Sequence, residues 1–187
     1  MNVGFLDMDG VVIHALSSRR AWVDPVEYPS EIDSACVERL LVFQEKYNLT
    51  FVISSSIRKL HKTFEDLCEK YKGAGFEKLN VHEDWKTPHY TKPQVGTPES
   101  LLHWCKIMGD PVTEESTQNY RGHEIKAWLD AHPQTQKFLA IDDSPDFYPL
   151  EVSNCLWIRK GLATGGIGFY NPSLVDKTFE DVFGQSK

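Results

Sequence analysis

Two carboxylates, Asp7 and Asp9, come directly after a short apolar run at residues 3–6. The run has the composition of a buried β-strand, and side chains two residues apart on a strand lie on the same face. Two anions held that close repel each other unless a cation, a shared proton or a phosphoryl group lies between them. A buried strand gains no stability from such a pair, so the spacing indicates a chemical role.

Two further apolar runs also end in polar side chains, one at Ser54 and Ser55 and the other at Asp142 and Asp143. Because ligands of parallel α/β sheets bind beyond the carboxyl ends of the strands, all three clusters are expected at one edge. A strand-end aspartate can also simply cap a turn, and for one pair that is the simpler interpretation. Two acidic pairs and a serine strand favour a site, and converging carboxylates are the ligands that Mg²⁺ prefers.

The elements that must position these residues alternate between strand and helix, which is typical of a parallel sheet with crossover helices. Strands are predicted at about 3–7, 49–53, 138–141 and 155–158, with a shorter one near 79–82. Helices are predicted at 31–47 with Ser30 as the cap and Asn48 at the end, at 57–71, near 98–108, and from about 125 to His132-Pro133. The glycine-rich stretch at 161–168 is predicted to be a flexible surface loop. The expected fold class is therefore α/β.

Length and charge set limits on organisation and partners. The 187 residues suit a single domain, 1–187, in which the less regular part at about 76–120 forms a small insertion or cap. A formal net charge of −7 argues against an extended nucleic-acid-binding surface. No apolar run is long enough for a membrane span, the chain begins directly with a strand, and its four scattered cysteines suit a reducing compartment. A cytoplasmic protein is expected; the oligomeric state is not indicated.

Three strings in the sequence carry a family resemblance. FLDMDGVV, FVISSS and LAIDDSPD resemble motifs one, two and four of the haloacid dehalogenase (HAD) superfamily of phosphatases. The resemblance covers about residues 1–58 and 119–160. The segment 121–143 is similar to the 3′-phosphatase domain of phage polynucleotide kinases and to related RNA-repair phosphatases. The resemblance to the superfamily implies a Rossmann-like three-layer sandwich with a central parallel sheet and a small insertion between the second and third motifs.

The resemblance also implies catalytic roles for the acidic residues. Asp7 would be the nucleophile that forms an aspartyl-phosphate, and Asp9 the general acid and then the general base. Mg²⁺ would be bound by Asp7, the main-chain carbonyl of Asp9, and Asp142 or Asp143. The activity implied is Mg²⁺-dependent hydrolysis of a phosphomonoester.

The phosphoryl oxygens would be held by other groups at the same edge. Ser54, the Ser55 amide and the Gly10 loop fit this task, since positioning and electrostatics dominate phosphoryl transfer. The third motif supplies a basic residue, for which Arg121 is the first choice and Lys126 the second. This family region commonly has lysine, and an arginine keeps the charge but changes its geometry from a point to a fork.

The substrate class rests on three further arginines. Arg19 and Arg20 follow Asp9 by about ten residues, and Arg58 follows the serine strand, as substrate-contacting arginines do in the polynucleotide 3′-phosphatases resembled. The alternative for all three is a solvated surface charge. Four ring side chains could stack a base or build the small core of the insertion: Trp22, Trp85, His89 and Tyr90. The favoured substrate is a nucleotide or a nucleic-acid end.

Three other functions compete with this prediction. A phosphatase of a small phosphorylated metabolite would use the same chemistry. A catalytically inactive binding or scaffold protein can share the fold, because a fold does not dictate activity. A DxD nucleotide-sugar glycosyltransferase needs a nucleotide-binding unit before its motif, and the six residues before Asp7 leave no room for one.

Overall fold

Five strands form one parallel sheet at the centre of the protein. The computed structural model describes residues 1–14, 31–89, 121–145, 147–159 and 165–184. The strands are β1 (Asn2–Leu6), β2 (Leu49–Ile53), β3 (Val81–Lys86), β4 (Lys137–Asp142) and β5 (Cys155–Trp157). They lie in the order β3-β2-β1-β4-β5, and every neighbouring pair is parallel. The predicted α/β class is confirmed.

Helices pack on both faces of the sheet. They are α1 (Ser34–Tyr47), α2 (Phe64–Lys70), α3 (Arg121–Ala131), α4 (Gly166–Phe169) and α5 (Pro172–Phe183). Two separate apolar clusters result. The first joins one face of the sheet to α1, α2 and α5, where Phe43 and Phe179 stack with ring centroids 3.9 Å apart. The second joins the other face to α3, where Trp128 meets Phe5 edge to face at 5.3 Å. This is the predicted three-layer sandwich.

The sheet register brings three strand ends level. Leu6 pairs with Ile53 of β2 and with Ile141 of β4. The next residues continue the ladder, because the Asp7 N–H donates to the Ile141 carbonyl at 3.0 Å and the Ser54 N–H donates to the Leu6 carbonyl at 2.9 Å. Asp7 and Ser54, the first residues beyond β1 and β2, are therefore fixed by backbone hydrogen bonds beside the end of β4.

Helix α1 begins later than the sequence predicted. It starts at Ser34, and its cap is Asp33, whose Oδ1 accepts the Ala35 N–H at 2.8 Å. The predicted cap, Ser30, lies outside the described residues. Both Ser and Asp are good caps, and the sequence did not distinguish between them. The predicted end is confirmed, since Asn48 adopts the left-handed conformation with φ 52°.

The single helix predicted at 57–71 is divided in two. A 3₁₀ helix spans Ser56–Leu60, and α2 then starts at Phe64. A capping box causes the restart: the Thr63 hydroxyl accepts the Asp66 N–H, and the Asp66 carboxylate accepts the Thr63 N–H. The apolar spacing continues across the break, so the periodicity did not reveal it.

The stretch before residue 90 belongs to the central sheet. Strand β3 is longer than predicted and pairs with β2, and its Trp85 is buried against Phe64 at 5.9 Å. The predicted insertion at about 76–120 is therefore wrong for residues 81–86, which form a strand of this sheet. Its remainder at 90–120, with the helix predicted near 98–108, lies outside the described residues. For Trp85, of the four ring residues considered, the core interpretation holds.

The end of the chain is more ordered than the glycine-rich sequence predicted. Residues 160–164 lie outside the described range, but Gly166 starts α4 and is buried with φ 61°. A Cβ at Gly166 would lie 2.2 Å from the Val11 carbonyl oxygen, so this close approach requires glycine. Helix α5 was not predicted, although Asn171 as cap and Pro172 at its first position are standard signals for it. No described helix is long and apolar enough to cross a lipid bilayer.

Candidate active site

The polar strand ends converge where the strand order reverses. β1 lies between β2 and β4, and the chain winds outward from it in both directions. Such a reversal leaves a crevice at the carboxyl edge of a parallel sheet. Asp7, Ser54 and Asp142 all line this crevice and are at most 4 % exposed. The expected meeting of three strand ends is therefore present.

A tight turn follows β1 and brings the two acidic loops together. The Met8 carbonyl accepts the N–H groups of Val12 and Ile13, both at 2.9 Å. Gly10 has φ 75°, and a Cβ there would lie 2.0 Å from Oδ2 of Asp143. Glycine is thus required twice at this position, by its backbone conformation and by the carboxylate that lies against it.

Arg121 is the cation that joins the three strand ends. Its Nη1 lies 2.8 Å from Asp7 Oδ1, 3.3 Å from Ser54 Oγ and 2.9 Å from Asp142 Oδ2. Burial opposes its charge, but the Asp142 and Asp7 carboxylates outweigh burial and raise the pKa of Arg121 above its ordinary value. The side chain is 17 % exposed, so its outer part still faces the crevice.

The start of α3 determines which basic residue reaches the crevice. A Cβ at the next residue, Gly122, would lie 2.0 Å from the Tyr148 carbonyl oxygen, so a missing side chain lets the first turn of α3 approach the backbone beyond β4. Lys126 lies on the outer surface of α3, where its Nζ pairs with Asp130 at 2.8 Å. The structure therefore brings Arg121 to the acids and leaves Lys126 at the surface.

The carboxylates of the crevice resist ionising together. Burial, the charge of Asp7 and the charge of Asp9 raise the pKa of Asp143 to about 7. Burial also raises the pKa of Asp142 well above its ordinary value, against the opposing charge of Arg121. For Asp9 the causes of a raised pKa are burial and then the charge of Asp7. The crevice thus contains more negative charge than Arg121 compensates.

The donor set fits a hard divalent cation. One carboxylate oxygen from each of Asp7, Asp142 and Asp143 lies within 4.8 Å of the others. Asp142 Oδ2 is buried and has an ionic neighbour in Arg121, but no N–H or O–H of the described residues points at it. Mg²⁺ prefers oxygen ligands, and it would neutralise the charge of these carboxylates. It would also supply a partner for Asp142 Oδ2.

Arg58 lies next to the crevice and is turned away from it. The side chain is 3 % exposed, and its Nε donates to the Thr87 carbonyl at 3.0 Å. Nη1 donates to the carbonyls of Ser54 and Ser55 at 2.6 and 2.5 Å. Nη2 donates to the Pro88 carbonyl at 3.0 Å and to a carboxylate described below. A guanidinium has five N–H groups, so these contacts use all of them.

A buried acid that the sequence analysis missed completes the surroundings of Arg58. Glu124 Oε2 accepts from Arg58 Nη2 at 2.6 Å, and Glu124 Oε1 lies 3.1 Å from His89 Nδ1. Burial lowers the pKa of Arg58, and the charge of Glu124 opposes that effect. The available signal was the position of Glu124, three residues after Arg121 and on the same side of α3 as Ile125 and Trp128.

Five further predicted residues make no side-chain contact with the crevice that the structure describes. Ser55 is fully buried, and its hydroxyl has no hydrogen-bond partner among the described residues. Arg19, Arg20, Trp22 and Tyr90 lie outside the described residues, so the predictions made for them stay predictions.

A parallel sheet with an acidic pair after its central strand, a serine after the next strand and a second acidic pair at the end of β4 defines a phosphatase of the haloacid dehalogenase class. Residues 3–160 match the family described as the HAD domain in Swiss Army Knife RNA repair proteins, and the chain belongs to that family. Comparison with curated proteins and with solved structures found no match. The resemblance seen in the sequence and the phosphatase class are both confirmed.

Proposed function

We propose that the protein is a Mg²⁺-dependent phosphomonoester hydrolase that acts on a nucleic-acid end through an aspartyl-phosphate. The observation that carries the proposal is the position of Arg121, whose Nη1 contacts both Asp7 and Ser54. A phosphoryl group that enters the crevice at this point meets a carboxylate nucleophile, a hydroxyl donor and a guanidinium.

Asp7 is placed to attack phosphorus. The backbone ladder fixes its Cα, and Arg121 Nη1 holds Oδ1 at 2.8 Å, which leaves the second carboxylate oxygen for the attack. The new bond joins this oxygen to phosphorus while the bond from phosphorus to the ester oxygen breaks. Water then attacks the acyl phosphate and releases Asp7 and inorganic phosphate.

Asp9 is suited to the two proton transfers. Its raised pKa, caused first by burial and then by the charge of Asp7, favours a protonated carboxyl that can donate to the leaving oxygen. The carboxylate that results can accept a proton from the attacking water in the second step. Two carboxyl groups separated by one residue thus take different roles because their surroundings differ.

The remaining groups hold charge and position. Arg121, Ser54 and the Ser55 amide would bind the equatorial phosphoryl oxygens. Asp7, Asp142, Asp143 and the Asp9 carbonyl would hold Mg²⁺, which offsets the charge of the phosphoryl group.

The family supports the substrate class. Its description places this domain in RNA repair proteins, in which a phosphorylated strand end is the natural target for a phosphatase domain. The net charge of −7 fits a short terminal contact better than a long basic track. The predicted roles of Arg19 and Arg20 as substrate contacts belong to this proposal. For Arg58, also predicted to contact substrate, the five N–H groups all have acceptors, which favours a positioning role.

The test combines a substrate panel with two variants. With Mg²⁺, kcat/KM should be at least ten-fold higher for 3′- or 5′-phosphorylated oligonucleotides than for sugar phosphates. Asp7→Asn should abolish turnover, whereas Asp130→Asn, an exposed acid on α3, should not change it. Asp9→Asn should lose much less activity on an aryl phosphate than on an oligonucleotide, because a good leaving group needs no proton.

Each failure has a distinct meaning. A preference for sugar phosphates would support the small-metabolite alternative and remove the nucleic-acid end from the proposal. Absence of turnover on every phosphoester would favour the inactive scaffold. Full activity in Asp7→Asn would overturn the mechanism itself.

A further inference from the structure

A second group of metal-ligating side chains lies away from the crevice, on the edge strand. His82 and Asp84 are two residues apart on β3 and share a face, and His132 follows the end of α3. One ligand atom from each lies within 4.8 Å of the others. The group thus joins two elements, of which α3 also carries Arg121 into the crevice.

His132 is oriented as a ligand would be. Its Nδ1 lies 2.7 Å from the Trp128 carbonyl oxygen, so Nδ1 carries the proton and donates. Its ring stacks on the Trp128 indole at 3.7 Å with an angle of 11° between the planes. A carbonyl acceptor on one ring nitrogen is the usual arrangement that fixes the tautomer of a metal-bound histidine. Nε2 is then the ring nitrogen that is available as a ligand.

Nε2 faces a carboxylate rather than solvent. Asp84 Oδ2 lies 3.0 Å from His132 Nε2, and the Asp84 side chain is 68 % exposed and therefore free to adjust. Ligand atoms bound at about 2.0–2.2 Å in a tetrahedron are separated by about 3.3–3.6 Å. The observed 3.0 Å is a hydrogen-bond distance, from which the exposed Asp84 side chain needs to move by only about 0.3–0.6 Å to ligate.

His82 would be the weakest ligand of the three. Its ring lies edge-on to that of His132 at 4.9 Å, within reach of the same point. Its Nδ1 accepts the Asp84 N–H at 3.0 Å, and that hydrogen bond must be broken before the ring can ligate. Asp84 and His132 also line a groove of about 610 Å³, which leaves room for a water as the fourth ligand.

We propose that His82, Asp84 and His132 form a site for a borderline transition-metal cation such as Zn²⁺, Ni²⁺ or Co²⁺. Two imidazoles and one carboxylate suit these metals, whereas Mg²⁺ prefers the oxygen-only set of the crevice. The metal would lie between Nε2 of His132 and the Asp84 carboxylate, in place of their direct contact. Bound metal fastens β3 to the end of α3.

The experiment is a Co²⁺ titration of the full chain, freed of metals by chelation and held in saturating Mg²⁺ so that the crevice is occupied. One equivalent of Co²⁺ should give visible absorption bands, and Zn²⁺ should displace them. Asp84→Asn and His132→Asn should weaken Co²⁺ binding by about 100-fold, and His82→Ala by less. His61→Ala, at a histidine outside the group, is the matched control and should bind normally.

The outcomes decide between the metal and the direct contact of His132 with Asp84. Retained Co²⁺ binding in Asp84→Asn and in His132→Asn, with each variant folded by circular dichroism, would overturn the site. Loss of the bands in Asp142→Asn alone would also overturn it, by placing the Co²⁺ in the crevice. Since Asp84 is exposed, its asparagine variant is expected to fold. The proposal does not depend on phosphatase activity.

Discussion

Arg121 and Arg58 contact the same residue, Ser54, from different sides and in different ways. Arg121 donates to the Ser54 hydroxyl at 3.3 Å, and Arg58 donates to the Ser54 carbonyl at 2.6 Å. Arg121 also donates to the Asp7 carboxylate and forms an ion pair with that of Asp142, whereas four of the five acceptors of Arg58 are main-chain carbonyls. Arg121 thus mainly contacts carboxylates, and Arg58 mainly contacts main-chain carbonyls.

The difference shows in the charge balance of each arginine. Burial lowers the pKa in both cases, but two carboxylates reverse the effect at Arg121, while Glu124 does not fully reverse it at Arg58. On the function proposed above, the carboxylate contacts of Arg121 would be exchanged for phosphoryl oxygens once a metal neutralises the acids. The contacts of Arg58 hold the main chain at Ser54, Ser55, Thr87 and Pro88. Nearness to the serine strand in the sequence therefore does not distinguish an arginine that binds a ligand from one that positions the main chain.

The largest expected effect is on catalysis at Arg121. Replacing it by alanine removes the donor shared by Asp7, Ser54 and the substrate, and should lower kcat/KM by roughly 10³-fold. Steady-state kinetics with Mg²⁺ on the best oligonucleotide substrate measure this. Arg121→Lys should recover part of the loss, since the charge returns without the fork. A loss below ten-fold in the alanine variant would break the comparison.

The next effect is on stability at Arg58. Arg58→Met removes the buried cation at Glu124 Oε2 and should lower the free energy of unfolding by about 3–5 kcal/mol. Urea denaturation monitored by fluorescence gives the value. Adding Glu124→Gln should restore part of the stability, because the uncompensated charge is then gone. If the double variant were as unstable as the single one, the Arg58–Glu124 pair would not be the cause.

A smaller effect is expected on the pH dependence of stability, through Asp143 in the crevice that contains Arg121. The folded pKa of Asp143, about 7, lies above the unfolded value of roughly 3.9. Between these values the folded state binds more protons, so the metal-free protein should lose stability as the pH rises through 7. Asp143→Asn should reduce that loss, and Mg²⁺ should have a similar effect on the unchanged protein. Denaturation midpoints between pH 4.5 and 8 in a chelator test this; parallel curves would contradict it.

The smallest effect is expected at Lys126. Its exposed pair with Asp130 spans one turn of α3 and contributes about 0.3–0.5 kcal/mol. Lys126→Ala should leave kcat/KM within two-fold of the unchanged protein in the same assay used for Arg121. A large kinetic loss would show that Lys126, rather than Arg121, is the basic residue of the third motif.

The sequence predicted the part of the site that depends on strands. Apolar runs and the residues that follow them gave the places of Asp7, Ser54 and Asp142, because strand ends in a parallel sheet share an edge. It did not predict the buried Arg58–Glu124 pair. A charged residue is ordinarily exposed, and the burial of Arg58 becomes visible only in the fold, where Thr87 and Pro88 supply carbonyls from the segment that follows β3.

The missed helix α5 has a different cause. Asn171 and Pro172 were readable start signals, but the sequence analysis predicted only a flexible loop at 161–168 and no element after it. Gly166 instead serves close packing against Val11, which depends on a residue more than 150 positions away. Local signals determine where α5 starts, and this long-range contact places Gly166 a few residues before it.

Because β1 is the central strand, the two acids that follow it are attached to the sheet in different ways. The Asp7 N–H donates to the Ile141 carbonyl inside a ladder with strands on both sides, so its exchange with solvent requires the sheet to open. Asp9 lies in the turn that follows the ladder, which is closed by hydrogen bonds to the Met8 carbonyl. On the roles proposed above, the sheet therefore anchors the main chain of the nucleophile, and this turn carries the proton donor.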